Sequence, residues 1–156
     1  MSQPSAPTVS FKFITEDGKV IKETSDSGKR DINCVVRVDN PHWSKNGGTV
    51  LFKTRVVCGS DNHPTYRVRV RGNLGSISGR PDGPPPQGPT VTRATSDQTQ
   101  TLVNGEMKTY YKTYYTPNGG PKVSGGAWFQ GYITAQIVSP CCSNLGSASS
   151  RRVYVK

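Results

Sequence analysis

Long hydrophobic runs are absent from this sequence. No stretch of about 18 consecutive apolar residues occurs, so the sequence predicts no transmembrane helix and no membrane insertion. Residues 1–7 also lack the basic and apolar regions of a signal peptide. Two interpretations stay open: a mature secreted domain whose leader has been removed, or a protein made in a cytosol and released by another route, as virion proteins are.

Helical periodicity and catalytic patterns are missing as well. No segment shows the apolar spacing of an amphipathic helix. Only His42 and His63 supply imidazoles, each next to a proline, and the carboxylates are scattered singly. No Ser-His-Asp arrangement, HExxH motif or Cys/His ligand spacing can be assembled from these residues. We therefore expect a protein that is not an enzyme and that has no metal and no cofactor.

Acidic residues are few relative to basic ones. The chain has 10 Asp and Glu against 20 Lys and Arg, which gives a net charge of +10. Such an excess favours anionic partners, namely acidic polymers, glycan surfaces or an acidic protein face. Nucleic acid is a less favoured partner, because residues 1–10 contain no basic arm that would hold a genome.

Turn residues and alternating segments dominate what is present. The chain contains 17 glycines and 12 prolines, and short segments between them alternate apolar and polar residues, as strands do. The Asn104-Gly105 pair predicts a hairpin that joins residues 100–103 to 107–115. The predicted strands are residues 9–13, 20–23, 34–38, 50–58, 65–71, 91–95, 100–103, 107–115, 127–138 and 151–156.

These strands predict an all-β fold without substantial helix. We expect one antiparallel β-sandwich, immunoglobulin-like or jelly-roll-like, over residues 9–156. A flexible N-terminal arm at residues 1–8 precedes it, and a proline-rich loop at residues 81–89 interrupts it.

In residues 65–71, apolar and cationic residues alternate more strictly than elsewhere in the chain, and Gly72 follows them. On a strand, successive side chains point to opposite faces, so the apolar side chains enter the core and the arginines line the outside. The same alternation places further cations outside the strands at 34–38 and 50–58. If these strands lie in one sheet, the cations form one basic binding face, which comprises Arg67, Arg69, Arg71, Arg37, Lys53 and Arg55. If the strands are split between two sheets, the cations only decorate a solvated surface.

Four cysteines are candidates for disulfides: Cys34, Cys58, Cys141 and Cys142. Alternation points Cys34 and Cys58 into the core, and they can pair if the hairpin register is centred on Asn46. A centre near Ser44 would put them about four residues out of register, and each would then need Cys141 or Cys142. A bond between the adjacent Cys141 and Cys142 is the least favoured of the three pairings. Buried free thiols are the remaining alternative.

Aromatic residues offer a second type of surface. The repeated Lys-Thr-Tyr-Tyr unit puts Tyr110 and Tyr114 on one face of a strand and Tyr111 and Tyr115 on the other, so one pair is core and one is exposed. Exposed tyrosines beside lysine suit the stacking of a sugar or a base, although filling the edge of a core is the commoner role. The aromatic surface candidates are Trp43, Trp128, Tyr132, Tyr110 and Tyr114.

Several motifs resemble a known group of proteins. Residues 39–44 (Asp-Asn-Pro-His-Trp-Ser), the Gly-Thr-Val at 48–50 followed by Cys58, and residues 131–137 are similar to small secreted β-sandwich proteins of actinobacteria. The similarity covers about half of the chain, and Cys141-Cys142 departs from the pattern. The resemblance implies an extracellular, non-enzymatic domain and assigns no functional residues.

Three functional hypotheses follow. The first is a non-catalytic extracellular binding or structural module that contacts a protein or an anionic surface through its basic sheet face. The second is a structural subunit of a phage or virus, for decoration, coat or filament, which would form homo-oligomers. The third is a secreted lectin or toxin-like protein that binds cell surfaces. These hypotheses place the protein outside the cell or in a virion.

Overall fold

The computed structural model describes residues 8–24, 32–61, 63–103, 112–139 and 143–156. These residues form two β-sheets that pack face to face, which confirms the prediction of a β-sandwich without helix. Within these ranges no helix is long and apolar enough to cross a membrane.

The first sheet has the strand order β2-β1-β3-β5-β4, and β8 also pairs with β5. Its pairs are antiparallel except β1 and β3, which run parallel. The strands β3 and then β4 pair with successive parts of β5. The strands of this sheet are β1 (Val9–Thr15), β2 (Val20–Glu23), β3 (Ile32–Val38), β4 (His42–Ser44), β5 (Thr49–Ser60) and β8 (Lys112–Thr116).

The second sheet has the order β10-β9-β6-β7, and β11 also pairs with β9. All of its pairs are antiparallel, and β6 lies between β9 and β7 over most of its length. The strands of this sheet are β6 (Thr65–Ile77), β7 (Val91–Val103), β9 (Ala127–Ser139), β10 (Gly146–Ser149) and β11 (Val153–Val155).

The core lies between the inner faces of the two sheets. Tyr66, Val68 and Val70 of β6 are buried there, as their alternation with arginine predicts. Cys34 of β3 is directly opposite Cys58 of β5, and the two form a disulfide. This pairing confirms the hairpin register centred on Asn46. Cys141 and Cys142 lie outside the described residues.

The sequence predicted that Gly72 ends its strand. This prediction is wrong, because β6 continues to Ile77. Gly72 faces inward beside the hydroxyl groups of Ser96 and Thr116, and a Cβ at this position would clash with both. Ser96 and Thr116 are hydrogen-bonded to each other across the two sheets, with 2.7 Å between their oxygens. The glycine therefore permits close packing between β6, β7 and β8.

Two further strand predictions need correction, and the structure also contains a strand, β10, that was not predicted. The short strands predicted at 91–95 and 100–103 are one strand, β7, because the polar residues between them also pair with β6. Residues 112–116 pair with β5 of the first sheet, so they are not the hairpin partner of β7. The predicted turn at Asn104-Gly105 lies outside the described residues. The strand β10 escaped prediction because Gly-Ser-Ala-Ser has little intrinsic preference for a strand and depends on its pairing with β9.

Candidate binding surface

The two sheets separate the predicted basic residues into two groups. Arg67, Arg69 and Arg71 lie on β6, on the outer face of the second sheet. The other three cations lie on β3 and β5, on the outer face of the first sheet: Arg37, Lys53 and Arg55. The condition for one contiguous basic face is therefore not met, because β3 and β5 belong to one sheet and β6 to the other, with the hydrophobic core between the two groups.

The cations of the first sheet are held by local partners. Arg37 and Arg55 are directly opposite each other in the β3–β5 register. Asp39 accepts a hydrogen bond from Nε of each, at 2.9 Å from Arg37 and 3.2 Å from Arg55, and its side chain is only 6% exposed. The Nζ of Lys53 lies 5.8 Å from the ring centroid of Tyr115. These contacts indicate that the first-sheet cations stabilise the sheet.

We expect Asp39→Asn to lower the free energy of unfolding by about 1–3 kcal/mol, since the two arginines would lose a buried counter-charge. Asp97→Asn is the matched control. It removes the same charge from an ion pair whose carboxylate is about half exposed, so the unfolding midpoint should change little. Urea denaturation of both variants measures the difference. Equal midpoints for the two variants would contradict a buried stabilising role for Asp39.

The cations of the second sheet are less neutralised. Asp97 of β7 accepts two hydrogen bonds from Arg69, 2.8 Å from Nε and 2.5 Å from Nη2. These hydrogen bonds, together with the positive charges of Arg69 and Arg71, hold the pKa of Asp97 below its usual value. The Nε of Arg71 is 3.5 Å from the same carboxylate, and Arg67 makes no ion pair within the described part of the chain. Two of the three cations on this face thus share one carboxylate.

A groove of about 640 Å³ lies on the outer face of the second sheet, and Arg71 is the arginine of this group that lines it. The strand register arranges its polar residues in two neighbouring rows across β7, β6, β9 and β10. The first row is Thr95, Asn73, Tyr132 and Ser149, and the second is Asp97, Arg71, Thr134 and Ser147. Leu145 completes the lining just before β10.

The proline-rich loop covers another part of the same sheet. Arg152 donates to the carbonyl oxygens of Pro86 at 2.7 Å and Gly88 at 2.5 Å, and to Oε1 of Gln130 at 2.7 Å. Nε1 of Trp128 donates to the carbonyl oxygen of Arg80 at 3.0 Å. Trp128 points outward, as the alternation of side chains along β9 predicts, but it is only 7% exposed because the loop lies over it. Trp128 is therefore not a surface aromatic residue.

The remaining aromatic candidates do not form a common surface. Tyr114 is buried, donates from its hydroxyl to the carbonyl oxygen of Val68 at 2.7 Å, and has its pKa raised by burial. Trp43 is 44% exposed but lies on β4 of the first sheet. Tyr110 lies outside the described residues. Of the predicted set, Tyr132 alone lines the groove.

Tyr132 joins the groove to the docked loop. Its hydroxyl donates to Oε1 of Gln130 at 2.9 Å and accepts a hydrogen bond from Oγ1 of Thr90 at 3.2 Å. Gln130 in turn accepts from Arg152, which holds the loop. This network was not predictable from the sequence, because Thr90 and Arg152 are far from Gln130 and Tyr132 in the chain.

The described residues contain no cluster of three or more His, Cys, Asp and Glu that could hold a metal ion. No protein-family model matches the sequence, and no curated protein shows significant similarity to it. The resemblance to actinobacterial β-sandwich proteins therefore stays a prediction.

Proposed function

We propose that the protein is a non-catalytic binding module that holds an anionic partner on the outer face of its second sheet. The single observation that carries this proposal is the unequal pairing of the cations on the two faces. Arg37 and Arg55 are tied to a buried carboxylate, whereas Arg67 and Arg71 are exposed, and Arg71 lines the groove. An exposed, incompletely neutralised set of guanidinium groups attracts carboxylate, sulfate or phosphate groups.

An extracellular location is part of the same proposal. The Cys34–Cys58 disulfide supports it, because disulfides persist chiefly in oxidising compartments. A protein of net charge +10 outside a cell would meet anionic polymers and surfaces at close range.

The experiment compares two double variants of equal charge. Arg67→Ser with Arg71→Ser removes two cations from the second-sheet face and leaves Arg69 bonded to Asp97. Lys19→Ser with Lys45→Ser removes two exposed cations from turns of the first sheet. Binding to heparin and to inorganic polyphosphate is measured by titration calorimetry at several salt concentrations.

We expect the arginine variant to lose about tenfold or more in affinity, and the slope of log K against log salt to decrease by about one for each lost contact. The lysine variant should bind nearly as the wild type does, and thermal unfolding should be similar for all three proteins. Equal losses in the two variants, or wild-type binding that does not depend on salt, would refute a specific arginine site.

A further inference from the structure

We propose that the groove binds an acidic carbohydrate, that is, a chain of sugars bearing carboxylate or sulfate groups. This inference rests on the proposed function and specifies the ligand class of the same face. It follows from the combination of side chains in the groove and not from the charge alone.

Unpaired hydroxyl groups are the first observation. Thr134, Ser147 and Ser149 line the groove in neighbouring register positions, and Thr95 lines it at the opposite end of the first row. None of these four hydroxyls makes a hydrogen bond within the described ranges. Each hydroxyl is both a donor and an acceptor, as is each hydroxyl of a sugar. Four such groups on a fixed sheet form an array that matches a polyhydroxylated ligand better than a simple anion.

The charged pair in the groove is the second observation. The contact of Arg71 with Asp97 is loose, 3.5 Å from Nε, and the Arg71 side chain is 57% exposed. Its guanidinium group is therefore accessible to a carboxylate or sulfate, which it can bind in a two-pronged arrangement. Asp97 is held on one side by Arg69 and has further lone pairs for ligand hydroxyls. A carboxylate at the β7 end of the site, next to Arg71, would weaken binding of a uniform polyanion such as polyphosphate.

Apolar surface and length are the third observation. Tyr132 and Leu145 line the groove, and both can contact the apolar face of a sugar ring. The rows cross four strands, which corresponds to roughly 14 Å at the usual strand spacing. A groove of this length accommodates an oligosaccharide. Nucleic acid fits less well, because Tyr132 is the single aromatic residue lining the groove in the described part of the chain, and strand binders use several for stacking.

The test uses the full chain and three kinds of probe at the same salt concentration. The acidic probes are oligogalacturonate, oligoalginate and heparin oligosaccharides; the uncharged probe is a neutral cello-oligosaccharide; the anion without sugar is inorganic polyphosphate. We expect at least one acidic oligosaccharide to bind about tenfold more tightly than the neutral sugar and more tightly than polyphosphate.

Thr134→Val and Ser147→Ala remove single hydroxyl groups without changing charge. Each should weaken binding of the acidic oligosaccharide by about three- to tenfold, the effect of one lost hydrogen bond, and leave polyphosphate binding unchanged. Thr113→Val is the matched control, because Thr113 lies opposite Arg55 in the first sheet. It should bind every probe as the wild type does.

The outcomes separate this inference from the proposed function. If polyphosphate binds as tightly as every acidic oligosaccharide and the hydroxyl variants have no effect, the carbohydrate inference is wrong while the anionic binding face stands. If no anionic probe binds, both are wrong. If the neutral sugar binds as tightly as the acidic ones, the groove is a carbohydrate site in which Arg71 does not select charge, and the inference is overturned.

Discussion

Replacing Cys34 and Cys58 together by alanine is expected to lower the free energy of unfolding by about 3 kcal/mol. The two residues are separated by 24 positions, so their bond closes a loop that the unfolded chain would otherwise explore freely. Both are 2% exposed and lie among the apolar residues of the core, so the lost sulfur atoms also remove packing contacts.

Urea denaturation with and without reductant tests this prediction. Strong reductant should move the wild-type midpoint towards that of the double alanine variant and leave the variant itself almost unchanged. A variant with the wild-type midpoint would mean that the β3–β5 pairing is stable without its covalent link. The binding face should survive the replacement under native conditions, because Arg67, Arg71 and the groove belong to the second sheet.

Gly131→Ala is expected to destabilise the fold by about 1–3 kcal/mol through overpacking. Gly131 of β9 faces the core, and a Cβ there would lie 2.8 Å from each of three ring carbons of Phe52 in β5. Real Cβ atoms do not approach ring carbons so closely, so the two sheets would have to move apart or the ring would have to shift. The close neighbour of Gly131 is thus an aromatic ring of the opposite sheet.

Gly83→Ala provides the matched control, because its added Cβ would be 3.7 Å from the nearest neighbouring atom. It should leave the unfolding midpoint almost unchanged. Combining Gly131→Ala with Phe52→Leu should restore part of the loss, since a smaller side chain frees the space that the new methyl group needs. If the two substitutions prove strictly additive, the ring and the glycine are not in the contact described.

The separation of charge between the two faces has a structural basis. Cations on neighbouring strands of the first sheet would repel each other across the register, and the buried Asp39 offsets that repulsion for Arg37 and Arg55. On the second sheet, Arg67 and Arg69 of β6 lie between neutral residues of β7 and β9. Asp97 of β7 lies opposite Arg71 and is shared by Arg69 and Arg71. The second arrangement leaves more positive charge accessible to a partner.

Alternation along single strands was predictable from the sequence. It placed Tyr66, Val68, Val70, Cys34 and Cys58 in the core, and all five are buried. It also directed Arg67, Arg69 and Arg71 outward, where β6 presents them. These features were predictable from the sequence because the direction of a side chain on a strand depends only on the local backbone.

Sheet membership and coverage by distant segments were not predictable in this way. Whether β3, β5 and β6 share a sheet depends on contacts between residues far apart in the chain, and these contacts divide the six basic residues between two faces. By its place in the strand alternation Trp128 faces outward like a surface residue, but it is covered by a loop that begins about fifty residues earlier. The alternating segment at 65–71 thus specified a strand with an apolar and a cationic side, and the packing of the two sheets determined which neighbours, charges and hydroxyl groups lie beside its arginines.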